Sequence, residues 1–265
     1  MYDLNMKEIK FPEGLMPLDI FVGSIAKERA TETIEGRSGI VDYGTNYVDR
    51  SVELSMWINS SDTTDYRLLR NELYALFDTG NAFYIEETRV PSRVLKVAVD
   101  ESFIPDRLTI RNASVDVTCR TLDSVFWETK YTTLELHDSG YSATAEKYGL
   151  VDNIDDEKVK YRFTSNNFTV YNAGNVTVEP ESMRLHIFVA STTGDSITIK
   201  NNTTGESFTL NRKMNARHIQ VNGMIVTDGT TQVFRDTNKR FISLAPGDNN
   251  ITVTGATFNE IRFNL

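Results

Sequence analysis

Along this chain hydrophobic residues recur at every second position far more often than at helical spacing. Val52, Leu54, Met56 and Ile58 share one parity, as do Leu95, Val97 and Val99, then Met183, Leu185, Ile187 and Val189, with Glu53, Ser55, Lys96, Arg184 and His186 between them. Successive side chains of a strand point to opposite faces, so the pattern predicts sheet with one face buried and the other wet. Leu108 and Ile110 are even-numbered, whereas Val115, Val117 and Cys119 are odd. One continuous core face therefore requires a bulge or turn at Asn112-Ala113 to switch the phase. Cys119 falls on the core parity and reads as a packed residue, with no His or helix N-terminus nearby to lower its pKa. Trp57 has the opposite parity to the aliphatic residues of its strand. That sets it under a helix or at a contact surface, the helix being the expected cover.

One helix interrupts the strands, over residues 62–79. Asp62 suits the N-cap, Asp65 the first turn, and Gly80 the stop, while Tyr66, Leu69, Leu73, Leu76 and Phe77 form an apolar stripe at helical spacing. From Asp138 to Glu157 the alternation lapses into Gly140, Gly149, small residues and the acidic run from Asp152 to Glu157. This is linker composition. The acidic run lacks the spacing and central Gly of a calcium loop, so a solvated hinge is expected. Beyond it lie only short alternating segments, separated by turn signals such as Asn202-Thr203-Thr204-Gly205, Asn222-Gly223, Asp228-Gly229 and Pro246-Gly247-Asp248. The expected architecture is mainly β: an N-terminal β domain with one helix over residues 1–137, a linker over 138–157, and an all-β sandwich over 158–265.

Composition removes several functional classes. No apolar run approaches the ~18 residues of a membrane span, and the start, Met1 to Lys7, is too polar for a secretory signal, so a soluble chain made without one is expected. A lone cysteine excludes a cystine-stapled scaffold. Lys plus Arg number 28 against 37 Asp plus Glu, net −9. That balance argues against tight nucleic-acid binding, which needs clustered positive charge, though not against a protein past which DNA slides.

Little in the chain points to chemistry. His137, His186 and His218 are widely separated and lack a paired His/Cys spacing, so no metal site is expected, and no cofactor motif, phosphate loop or nucleophile elbow is present. Glu86 and Glu87 are adjacent carboxylates, but strand neighbours face opposite ways and 37 acidic residues make such a pair unremarkable by chance. An enzyme is not expected. The segment from Glu28 to Arg50 is richer, with Arg29, Arg37 and Arg50 and with Tyr43 and Tyr47 between two strand-like regions. Arg and Tyr are enriched at interfaces, and Arg37, Tyr43, Tyr47 and Arg50 are the candidate interface residues.

The succession of segments resembles the distal tail protein (Dit) family of long non-contractile-tailed bacteriophages over nearly the whole chain. Glu35-Gly36-Arg37-Ser38-Gly39, Tyr47 to Val52, the helix with Leu69 and Leu73, and Val115 to Cys119 carry the likeness in the first half. Tyr171 to Asn175, Asn202 to Phe208 and Leu244 to Ile251 carry it in the second. The resemblance implies a virion protein of the tail tip, assembled in the bacterial cytoplasm, with a galectin-like C-terminal sandwich. It implies a homohexameric ring that joins the tail tube protein to the tail-tip hub protein around a channel for DNA, with a hairpin near Gly36 to Arg50 embracing the neighbouring subunit. Receptor-binding proteins are further candidate partners. The turns between Val159 and Leu265 are short, however, so the inserted arm that grips them in some members is not expected. The alternative is a carbohydrate-binding sandwich for host attachment. It would need an aromatic platform, and the second domain has no Trp and only Phe188 and Tyr171 as substitutes.

Overall fold

The computed structural model describes residues 1–139 and 156–265. The chain divides into two compact units, Met1–Lys130 and Tyr131–Leu265. Most of the expected linker lies outside the described residues, as does most of its acidic run.

In the first unit, strand β1 spans Leu15–Val22, β2 Lys27–Glu32, β3 Val41–Tyr47, β4 Ser51–Asn59, β5 Phe83–Glu87, β6 Val90–Val99, β7 Asp106–Arg107, β8 Asn112–Thr121 and β9 Glu128–Thr129. The main sheet runs β1-β4-β8-β6-β5, with β7 on β8 and β9 on β6. Strands β2 and β3 form a separate two-stranded sheet. Period-two patterning does what it predicts: Val52, Leu54, Met56 and Ile58 of β4 face inward with Ala113, Val115, Val117 and Cys119 of β8. Helix α1, Thr63–Phe77, covers this face with Tyr66, Leu69, Leu73 and Phe77. It starts where Asp62 Oδ1 accepts the Thr64 and Asp65 amides at 2.7 and 2.9 Å, satisfying donors that have no partner inside the helix.

Two local expectations are corrected. The phase change occurs before Asn112, which already pairs with Asn59. Residues 108–111 make the turn, with Thr109 Oγ1 accepting the Arg111 and Asn112 amides at 3.2 and 3.0 Å. Leu108 and Ile110 are consequently exposed at the tip instead of packed. Trp57 is not covered by the helix either. It stands in register with Met16 and Ser114 on the opposite sheet face, because α1 takes the even-numbered face of β4.

The second unit begins with a short helix α2, Thr133–Ser139, that periodicity was too brief to disclose. A capping box opens it: Glu135 Oε2 accepts the Thr132 amide at 2.7 Å. Then follow β10 (Arg162–Phe163), β11 (Asn167–Asn172), β12 (His186–Asn201), β13 (Ser207–Leu210), β14 (Met214–Asn222), β15 (Ile225–Asp228), β16 (Thr231–Gln232), β17 (Gly247–Thr257) and β18 (Glu260–Asn264). The 16-residue β12 is the spine. Its first half pairs with β14 and β18 and its second with β13 and β17, with register shifts between. Ile187, Val189, Ile197 and Ile199 from both halves enter one core, so a single bent strand serves both layers. The bend needs Gly194, since a Cβ there would come within 2.7 Å of the Gly255 carbonyl oxygen.

Leu73 is fully buried between α1 and β4. Leu73→Ala is expected to cost about 2–5 kcal/mol, read as a lower urea midpoint for the first unit with the second unit's transition unmoved.

Candidate interaction site

Backbone pairing between β1 and β4 does not stop where the main sheet ends. The Gly23 amide donates to the Ser51 carbonyl at 2.8 Å, Ala26 to Asp49 at 2.8 Å, and Val48 to Ala26 at 3.0 Å. One long ribbon therefore leaves the sheet and continues as the β2–β3 arm. No residue of β2 or β3 is buried. One face of the arm carries Lys27, Tyr47, Arg29 and Thr45: the Lys27 ammonium lies 5.7 Å from the Tyr47 ring centre, and Arg29 Nε donates to Thr45 at 3.3 Å.

The four candidate interface residues separate into two pairs. Arg37 sits in the exposed loop at the arm's tip, and Tyr43, 62% exposed, donates its hydroxyl to Glu32 at 2.7 Å. Tyr47 and Arg50 are at the root. Tyr47 meets Phe126 edge-on at 5.6 Å between ring centres while remaining 54% exposed. Arg50 is engaged within its own unit: Nε donates to the Gly23 carbonyl at 3.0 Å, Nη1 to the Val125 carbonyl at 3.4 Å, and its amide to Thr121 Oγ1 at 2.9 Å. Composition marked the segment as interface-like but could not divide tip from root, because the root's partners Thr121, Val125 and Phe126 lie 71 or more positions further along the chain.

The sheet face turned away from α1 has its own character. Register places Met16 beside Trp57 and Ser114, Asp19 beside Ser55 and Asp116, Phe21 beside Glu53, and Asp106 beside Ser114. Asp19, Glu53, Asp106 and Asp116 are all exposed, and none of them forms an ion pair among the described residues. Arg120 lies toward the arm, where Asp49 and Asp100 engage it at 3.3 and 2.6 Å. Off-core parity already marked Glu53 and Asp116 in the sequence; adding Asp19 and Asp106 required the register.

Several groups with latent acid/base chemistry are held in structural hydrogen bonds. Glu86 accepts the Tyr2 hydroxyl, the Ser92 amide at 2.9 Å and the Lys130 ammonium at 3.3 Å. Burial alone would raise its pKa, but these three donors outweigh burial and hold it below the usual carboxylate range. Glu87 is exposed at the strand end. His137 accepts the Tyr161 amide and His218 the Ser191 amide, each at 3.3 Å, while burial lowers the His186 pKa. No group of three or more metal-ligating side chains occurs among the described residues. Burial, and then the Asp100 charge, push the Cys119 thiol up to about 12, so it is neither thiolate nor accessible. In the second unit, Arg262 stands 5.3 Å from the Phe188 ring centre and His218 stacks beside that ring.

Residues 5–119 match the family model of the phage tail protein RIFT-related domain. Over 95% of this chain and 93% of the other, the structure superposes on the SPP1 Dit (gp 19.1) protein with a TM-score of 0.69 at 15% identity. Residues 5–119 thus resemble a phage tail protein domain, and the chain as a whole has the fold of that Dit protein. A chain of the phage P2 baseplate in its activated conformation with Ca aligns more loosely, with a TM-score of 0.42 at 9% identity over 95% of this chain and 90% of that one. Comparison with curated proteins gives no match. The family match falls on the unit that carries both the arm and the acidic face. No helix among the described residues is long and apolar enough to cross a membrane.

The clamp around Glu86 joins the start of the first unit to its last residue, Lys130. Because the folded-state pKa of Glu86 is depressed, its stabilisation is present above its ordinary value of 4.5 and is lost as pH falls through the folded value. Glu86→Gln is therefore expected to lower the melting temperature at pH 7, with the gap from the parent narrowing as pH drops below 4.5, measured by thermal scans across that range.

Proposed function

We propose that this protein forms a homohexameric ring at the tail tip, joining the tail tube to the hub of the host-adsorption apparatus and leaving a central channel for DNA. The observation that carries the reading is the arm. A two-stranded hairpin with no buried residue is at best marginally stable in water, so an arm of this length needs a surface to lie on. A second copy supplies that surface without demanding a new partner: a closed ring requires two different surfaces on every subunit, one presented to each neighbour. The arm is one of them. Similarity to a protein described as a paradigm of hub adsorption apparatus supports the same assembly. The ring then stands between the tube protein and the hub protein, with receptor-binding proteins as further candidate partners.

The acidic sheet face suits the channel. If Asp19, Glu53, Asp106 and Asp116 of each copy face inward, a passing duplex meets carboxylates, and no lysine or arginine row gains affinity through counterion release. The role is structural, and its chemistry is that of surfaces.

Six chains of 30.0 kDa give about 180 kDa, the mass expected by light scattering; a monomer at all concentrations, alone and with tail partners, would sink the ring. Arg37→Glu combined with Tyr43→Ala is expected to reduce assembly with the melting temperature nearly unchanged, since exposed substitutions usually cost within about 0.5 kcal/mol.

The assembled ring, at six times −9 or about −54, is also expected to leave duplex DNA unshifted in a low-salt gel titration. Micromolar binding there would contradict the conduit and reopen nucleic-acid recognition.

A further inference from the structure

The ribbon's own hydrogen bonds hold β2 to β3 but cannot set the direction in which the pair leaves the sheet, because both strands of the ladder turn together. Direction requires a third segment. At the root, that segment is residues 121–126, and Arg50 joins it to both sides of the bend. Its amide donates to Thr121 Oγ1 at 2.9 Å, and the Thr121 amide returns to the Arg50 carbonyl at 3.1 Å. Its guanidinium bridges the Gly23 carbonyl, at 3.0 Å on the outgoing strand, and the Val125 carbonyl at 3.4 Å. Tyr47 rests on Phe126 just beyond, and Arg120 holds Asp49 at 3.3 Å. A Cβ on Gly23 would come within 3.1 Å of the Ser51 carbonyl oxygen, so the two strands approach closely where they bend.

We propose that Arg50 is a positioning residue for assembly: its planar fork spans two carbonyls on different segments and fixes the exit angle of the β2–β3 arm, so that the arm is aimed before it meets a neighbour. This rests on the ring reading and changes the part Arg50 plays in it, from gripping the neighbour to orienting the arm that does. An arm free to swing would be competent only part of the time. If the competent fraction fell to about one in ten, each subunit contact would weaken about tenfold. Lysine cannot reproduce the fork, since one ammonium is a point charge on a flexible stem, and it would restore one carbonyl contact without bridging two segments.

Spin labels at Ser38→Cys on the arm's tip and Asp116→Cys on β8 report the angle in the full chain, and buried Cys119 stays unlabelled. In the Arg50-containing protein the pulsed dipolar distance distribution should be narrow. Arg50→Ala should broaden or displace it and weaken assembly about tenfold or more, with Arg50→Lys between the two. Arg37→Glu should weaken assembly without moving the distances. Unchanged distances in Arg50→Ala overturn the proposal, whatever happens to assembly. Should Arg50→Ala fail to fold, Arg50→Lys decides, and unchanged distances there overturn it equally. A chain that never forms rings removes the ring reading alone, because the distance measurement still tests the pin on the monomer.

Discussion

Backbone pairing between the strands that leave at Leu15 and return at Asn59 continues beyond the point where either strand has a core to bury. Up to Val22 and Val52 the ribbon belongs to the sheet, because β4 is sandwiched between β1 and β8 and its even-numbered residues lie under α1. Past Gly23 and Arg50 the same ladder persists with every side chain near solvent. Hydrogen bonds alone contribute little net stability once water competes for both partners. The distal ribbon therefore depends on something other than a core, namely the fixed root within the chain and, in the assembly proposed here, the neighbouring subunit. The position of that break determines which residues of the first unit are fold and which are surface.

The second unit solves a different problem. One long strand must serve two layers, and bending it disrupts the ladder from Val189 to Thr198. Small residues make the crossing possible, and buried amides satisfy the polar groups around the turns. Asn201 Nδ2 donates to the Ser243 carbonyl at 2.8 Å and to Asn249 Oδ1 at 3.0 Å, while Asn172 Nδ2 reaches the Val176 and Leu244 carbonyls, both at 2.9 Å. Apolar residues at these positions would leave carbonyls buried without donors, a cost of about 1–3 kcal/mol each. Asn172, Asn201 and Asn249 thus supply the interior polarity that the turns require.

Charge acts on a longer scale than either of these. A net −9 spread over the chain says little about where a polyanion would meet it, but a sheet sorts charge by parity. With the helix claiming one face of β4 and β8, the carboxylates on alternate positions collect on the other, next to Met16, Phe21 and Trp57. Basic side chains nearby are taken up by the root of the arm. The acidic surface is a by-product of strand periodicity once one face has been buried.

The sequence by itself determined what depends on near neighbours. Parity identified the core faces of β4, β6 and β8, since burial of one side of a strand leaves a period of two in the chain. Asp62 and the Tyr66 to Phe77 stripe marked α1 because a cap and a helical face are written within four residues of each other. The likeness to distal tail proteins was also legible there, in successive short segments. The capping box from Thr132 to Glu135 was present too, but its helix is too short to show periodicity. Tertiary structure decided the rest, in each case through a partner distant in the chain. Trp57 went to the open face because α1 chose the other one; Leu108 and Ile110 were left at a turn because Asn112 had already paired with Asn59. Arg50 became a pin because Gly23, Thr121 and Val125 converge on it. Composition records which groups are available to form such bonds, and only folding brings their partners within 3 Å or so of one another.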